Sequence, residues 1–245
     1  MAEAAVAAVA EHAGKAERQP LAGRDWKSVL KDDIKSRHFI SGKAEEERER
    51  IAADIVKTLA SIVETRPLLK RLVESGMAEP KFFETATRSC QEKLDLIGWD
   101  KLTFKVVVAE METRKKRRYA VGLISKDEEV DFPRLFSMLR ECKQMAITRH
   151  MLKPMVTLVK EPLSDTEFGT FTPFFTARNM GEIDHIILEE PRGDERENKI
   201  IDFSIGGTGM AKQFSVHMHG YRAFFGEMLK EYEDRMIVVP WIPVK

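Results

Sequence analysis

The sequence predicts an α+β fold, and three observations carry that prediction. Residues 45 to 97 repeat their apolar side chains at helical spacing. Beyond residue 100 the chain turns to short runs rich in β-branched and aromatic residues, as strands do. Two amphipathic helices interrupt those runs, each after a pair of strands. The expected architecture is an N-terminal helical segment followed by an antiparallel β-rich domain with two covering helices. Its divisions are a flexible arm at 1–45, a helical segment at 46–98 and the β-rich domain at 99–245.

The arm is small and polar, with Gly14, Pro20, Gly23 and Gly42, and holds one short helix around Trp26–Ile34. From Glu45 to Glu64, Ile51, Ile55, Leu59 and Ile62 recur opposite Glu46, Glu49, Arg50 and Lys57, which predicts a helix. Pro67 starts a second helix, ended by Ser75-Gly76. A third is expected over Lys81–Leu96, stopped by Gly98. Leu102–Ala109 and Tyr119–Ile124 then read as a hairpin. After Asp131-Phe132-Pro133 comes a helix with Leu135, Phe136, Leu139 and Cys142 on one side. Met155–Val159 and Glu167–Thr176 read as strands, Pro173 marking an edge or a bulge. Ile183–Leu188 and Lys199–Ile205 read as a second hairpin, joined by the charged loop 191–195. Glycines 206, 207 and 209 turn the chain into Gln213–Met218, the last helix spans Tyr221–Asp234, and Ile237–Pro240 closes as a strand or packed tail.

Two segments resemble one another. Met138-Leu139-Arg140-Glu141 and Met228-Leu229-Lys230-Glu231 each lie in an amphipathic helix that follows two strands. Duplication of a strand–turn–strand–helix unit explains this, and so does common helix composition.

Composition narrows the function classes. With 245 residues, 43% hydrophobic and 33% charged, the chain reads as globular. No apolar run approaches the roughly 18 residues of a membrane helix. The Ala-rich start carries Glu3 and Glu11 and no basic region, so it reads as no secretory or mitochondrial signal. Cys90 and Cys142 are too few for a disulfide framework or a zinc site, which makes a reducing, intracellular compartment (cytoplasmic or nuclear) the expectation.

The net charge of zero hides a polarity. Residues 101–160 carry 14 Lys and Arg against 7 Asp and Glu, while residues 161–245 carry 9 against 15. A cationic face of this kind suits nucleic acid or anionic lipid, and the opposed segments equally suit head-to-tail self-association.

The strongest functional lead is the run Arg114-Lys115-Lys116-Arg117-Arg118 at the hairpin turn. Five consecutive cations repel one another and contribute nothing evident to folding. With Lys105 they would form a phosphate-contacting ribbon, and Tyr119 or Phe104 would stack on a base. A nuclear-localisation patch, or a solvated turn that blunts strand pairing, are the other readings.

Antiparallel strands followed by a helix, used twice and carrying cations and aromatics, resemble the Whirly and PUR-type single-stranded nucleic-acid-binding proteins. The trypanosome mitochondrial guide-RNA-binding proteins share that architecture. The resemblance covers roughly residues 100–235 and lies in element order. The Lys-Gly-Lys-Ala-Ala-Leu-type signature of plant Whirly proteins is absent and residues 45–97 are extra, so no functional residue transfers.

Other motifs fall short of chemistry. Gly206-Gly207-Thr208-Gly209 is followed by Lys212 and a strand, whereas a phosphate loop needs its Lys directly after the last glycine and then a helix. His217 and His219 share a strand face with no third ligand, although His185 could approach in space. Cys142 and His150 do not form a nucleophile–base pair, because Cys142 belongs to an apolar helix face. Phe168, Phe171, Phe174 and Phe175 read mainly as core. The acidic pairs Glu189-Glu190 and Asp194-Glu195 lie in loop, and adjacent residues in extended chain point apart. No catalytic constellation emerges, and neither metal nor cofactor is expected. The function expected is non-catalytic binding of RNA or single-stranded DNA. The alternative is a structural protein, for instance viral, that forms a homo-oligomer or joins a larger assembly through its oppositely charged regions.

Overall fold

The computed structural model describes residues 25–87, 89–112, 116–125, 128–141, 156–159, 163, 171–207 and 213–245. Most of the expected arm, Cys142, His150 and Phe168 lie outside them. Helices α1 (Trp26–Ser36), α2 (His38–Ser41), α3 (Glu45–Glu64) and α4 (Pro67–Glu74) come first. Asp25 caps α1 by accepting the Lys27 N–H, and Glu45, Glu46 and Glu47 sit at the positive end of the α3 dipole.

Next comes a strand where a helix was expected. The Lys81–Leu96 segment divides into β1 (Ala78–Phe83) and α5 (Cys90–Ile97). Ala78, Pro80 and Phe82 alternate inward along β1. Pro80 is tolerated because β1 is an edge strand, paired only with β7. Ser89 starts α5 by accepting the Glu92 N–H.

The remaining elements are β2 (Leu102–Glu112), β3 (Lys116–Ser125), α6 (Phe132–Glu141), β4 (Val156–Leu158), α7 (Ala177–Glu182), β5 (His185–Glu189), β6 (Ile200–Gly207), β7 (Gln213–His219), α8 (Tyr221–Tyr232) and β8 (Met236–Val239). Residues 171–176 of the strand expected over Glu167–Thr176 form no strand. There the Thr172 hydroxyl accepts the Phe174 N–H, and Thr176 and Asn179 close a capping box on α7.

The strands form one sheet in the order β1-β7-β6-β2-β3-β5-β8, with β4 beside the far end of β2. The sheet is mixed, which corrects the antiparallel expectation. The β2–β3, β6–β7, β1–β7 and β2–β4 pairs are antiparallel. The β2–β6, β3–β5 and β5–β8 pairs are parallel. The expected hairpin of Ile183–Leu188 with Lys199–Ile205 does not form, because β2 and β3 stand between β5 and β6. The three consecutive buried residues Ile186, Ile187 and Leu188 explain this, since a strand covered on both faces favours parallel neighbours.

Helices cover both faces. On one face α1, α3, α4 and α8 pack on Phe82, Phe104, Val106, Val108, Phe203 and Val216. Phe224 of α8 meets Phe203 at 4.6 Å and Phe104 at 5.0 Å between ring centroids, pairs worth about 0.5–1.5 kcal/mol each beyond area burial. On the other face α6 sets Leu135, Phe136 and Leu139 against Tyr119, Val121, Leu123 and Ile187. The two strand–strand–helix units therefore place β2 and β6 side by side and their helices on opposite faces. Among the described residues no helix is long and apolar enough to cross a membrane.

Candidate functional site

The basic hairpin exists as a regular ladder running from Thr103↔Ser125 to Glu112↔Lys116. Arg114 and Lys115, together with the Lys116 side chain, lie outside the described residues, and Lys116 opens β3. Strand alternation separates the remaining cations. Arg117 is exposed, its guanidinium beside the Tyr119 hydroxyl. Arg118 faces the other way and is neutralised within the chain. Its Nε donates to Glu110 Oε2 at 3.2 Å and its Nη1 to Glu182 Oε2 at 3.0 Å. Its main-chain N–H donates to Asp184 Oδ2 at 2.8 Å. Opposite charges of the two polar segments thus meet inside one molecule.

Two expectations about this hairpin are corrected. Tyr119 is 1% exposed, its ring stacked on His185 at 5.6 Å and edge-on to Phe136 at 5.3 Å, so it presents no surface to a base. Phe104 is buried in the aromatic cluster and is equally unavailable. Burial raises the Tyr119 pKa and lowers that of His185. Lys105 sits six residues back from Met111 on the same strand face, about 20 Å from it along β2, and its Nζ donates to the Glu128 carbonyl at 3.4 Å. It belongs to a different site.

That second site is a cavity of about 460 Å³ between α5 and the β6–β2–β4 part of the sheet. Its polar end is built by Cys90 and Lys93 of α5, Thr103 and Lys105 of β2, and Asp202 and Ser204 of β6. Behind it lies a buried charged network. Lys93 Nζ stands 3.3 Å from Asp202 Oδ2, the two side chains 4% and 1% exposed. The ammonium donates to Ser215 Oγ at 2.7 Å and sits 4.3 Å above the Phe83 ring. Ser215 Oγ donates onward to Asp202 Oδ2 at 3.4 Å, and His217 Nε2 meets Asp202 Oδ1 at 3.1 Å. Burial lowers the Lys93 pKa, and the Asp202 charge opposes that shift. Gln213 ties the rim together, donating to Ser204 Oγ at 2.6 Å and accepting from the Thr87 N–H and hydroxyl.

Lys93, Asp202 and Ser215 belong to no motif in the sequence. One signal was available: Lys93 falls on the stripe Cys90, Leu94, Ile97 of its helix, where a lysine must be buried or paired. Asp202, Ser204 and Ser215 alternate with apolar residues and read as a solvent face. Because α5 lies over that face, they are enclosed.

His185, His217 and His219 form no metal site. β5 and β7 are four strand spacings apart, about 19 Å, and no metal-holding group occurs among the described residues. β6 and β7 pair antiparallel up to Gly207↔Gln213, and residues 208–212 lie outside the described residues. Comparison with protein-family models and with curated proteins found no match.

Proposed function

We propose that the protein binds RNA or single-stranded DNA, without catalysing a reaction on it, through the turn of the β2–β3 ribbon. The observation that supports this reading is the ladder ending at Glu112↔Lys116, since in the sequence the cation run Arg114 to Arg118 follows directly on that last pair. The binding set is Arg114, Lys115, Lys116 and Arg117. Arg118 is an internal strut, and Lys105 and Tyr119 take no part. Contacts of this kind go to phosphates and read no sequence.

The test is fluorescence anisotropy of a labelled oligouridylate with the full chain at low salt. Replacing Arg114, Lys115, Lys116 and Arg117 together by Gln is expected to weaken binding at least tenfold. Unchanged binding contradicts the proposal. Self-association through opposed charges is the weaker reading, because the Arg118–Glu182 ion pair already joins those segments within one chain.

A further inference from the structure

We infer that the cavity beside Lys93 and Lys105 is a binding site for a small amphiphilic anion, an apolar body carrying one acid group. This is independent of the polyanion-binding ribbon. Four features lead to it.

First, the cavity occupies a break in the sheet. The β2–β6 ladder ends at Phe104↔Phe203 and the β2–β4 ladder begins at Ala109↔Leu158. Between them no strand among the described residues pairs the β2 edge from Lys105 to Val107, which borders the cavity. The Val159 N–H donates to the Val108 carbonyl at 2.9 Å, and alternation turns the Val106 main chain to the same side.

Second, the cavity is amphipathic. Val106, Val107, Leu158, Val159 and Phe171 line one end, opposite the polar end formed with α5. Leu158 is 50% exposed although it forms this wall, so a large apolar side chain stands uncovered at the site.

Third, among the described residues that line the cavity one carboxylate, Asp202, stands against two ammonium groups, Lys93 and Lys105. The Asp202 carboxylate already faces Lys93 and His217. Lys105 meets a carbonyl oxygen at 3.4 Å. An acid group placed between Lys105 and Lys93 would balance the cavity.

Fourth, the volume is right. Sites for small organic ligands span about 300–1,000 Å³, and this one falls at the lower end.

The probe is 1-anilinonaphthalene-8-sulfonate, titrated into the full chain by fluorescence with dodecanoate as competitor. The neutral N-phenyl-1-naphthylamine serves as the control lacking the acid group. The expected result is one saturable site per chain, displaced by dodecanoate, with the neutral control at least tenfold weaker. Lys105→Glu and Lys105→Met should each weaken the sulfonate at least fivefold while leaving the neutral compound unchanged. Leu158→Asp should weaken both compounds. Cys90, on the cavity wall, supplies a separate readout: saturating dodecanoate should slow its alkylation by iodoacetamide at least threefold, followed by mass spectrometry. Equal affinity for the charged and neutral probes, no effect of either Lys105 substitution, or unprotected Cys90 overturns the inference. Because the ribbon variant with four Gln substitutions retains the cavity, it should bind the sulfonate as the parent does. Loss of polyanion binding and loss of cavity binding are thereby separated.

Discussion

Gly122 stands across from Val106 in the β2–β3 ladder, and a Cβ there would lie 2.6 Å from Cζ of Phe104 and 2.7 Å from Cδ2 of Leu188. The glycine that weakens β3 by its own propensity is what allows the Phe104 ring to reach Phe203 and Phe224. Gly122→Ala should therefore destabilise the fold by about 1–3 kcal/mol, through overpacking. Urea unfolding measures it, and a neutral or stabilising result would show that the ring has room to shift.

Removing one member of the buried pair should be more damaging. Lys93→Met leaves the Asp202 carboxylate, among the described residues, with His217 and Ser215, and the expected loss is about 3–5 kcal/mol. A double substitution, Lys93→Met with Asp202→Asn, should recover part of that loss. A single variant as stable as the parent in urea would mean that the pair is not desolvated.

Tyr119 and Tyr221 are buried and Tyr232 is half-buried, and desolvation raises the pKa of each. A group whose folded pKa lies above its unfolded value contributes stability below the unfolded pKa and loses it as pH rises toward the folded one. Stability should accordingly fall above about pH 10. Absorbance at 295 nm should stay silent until the chain unfolds. Tyrosinate appearing near pH 10 in protein that is still folded would place at least one ring at the surface. Tyr221→Phe also deletes the 2.8 Å bond to the Glu189 carbonyl, at a cost of about 0.5–1.5 kcal/mol.

Arg118 and Arg117 should separate structure from binding. Arg118→Gln removes part-exposed ion pairs to Glu110 and Glu182 and should lower stability by about 1 kcal/mol. Its oligonucleotide affinity should stay within about twofold of the parent, since its guanidinium is already held by Glu110 and Glu182. Arg117→Gln should do the reverse, leaving the melting temperature and weakening the complex. Anisotropy and thermal melts on both variants decide it.

Local signals carried much of the fold. The apolar stripe of α3, Pro67 at the start of α4 and the β-branched flanks of the basic turn each specify an element within its own residues. Non-local terms decided what was missed. Nothing within Ala78–Phe83 announces that it pairs with β7, and its Pro80 argues against a strand until the edge position is known. Sequence proximity favours pairing β5 with β6, but Ile186, Ile187 and Leu188 take β3 and β8, distant in the chain, as their two neighbours. The cavity was hidden for the same reason, because Lys93 and Asp202 are distant in sequence and become partners only when α5 lies across the sheet. Tyr119 was misplaced because alternation in a hairpin does not say which face a later helix covers. Here α6 covers it.

The most direct test of the ribbon account is the slope of log affinity for oligouridylate against log salt concentration, parent beside the variant with Gln at positions 114 to 117. Four phosphate contacts to a single strand predict a parent slope steeper than the variant's by about 3. Two parallel lines would contradict it, since the phosphates would then be held by some other part of the molecule.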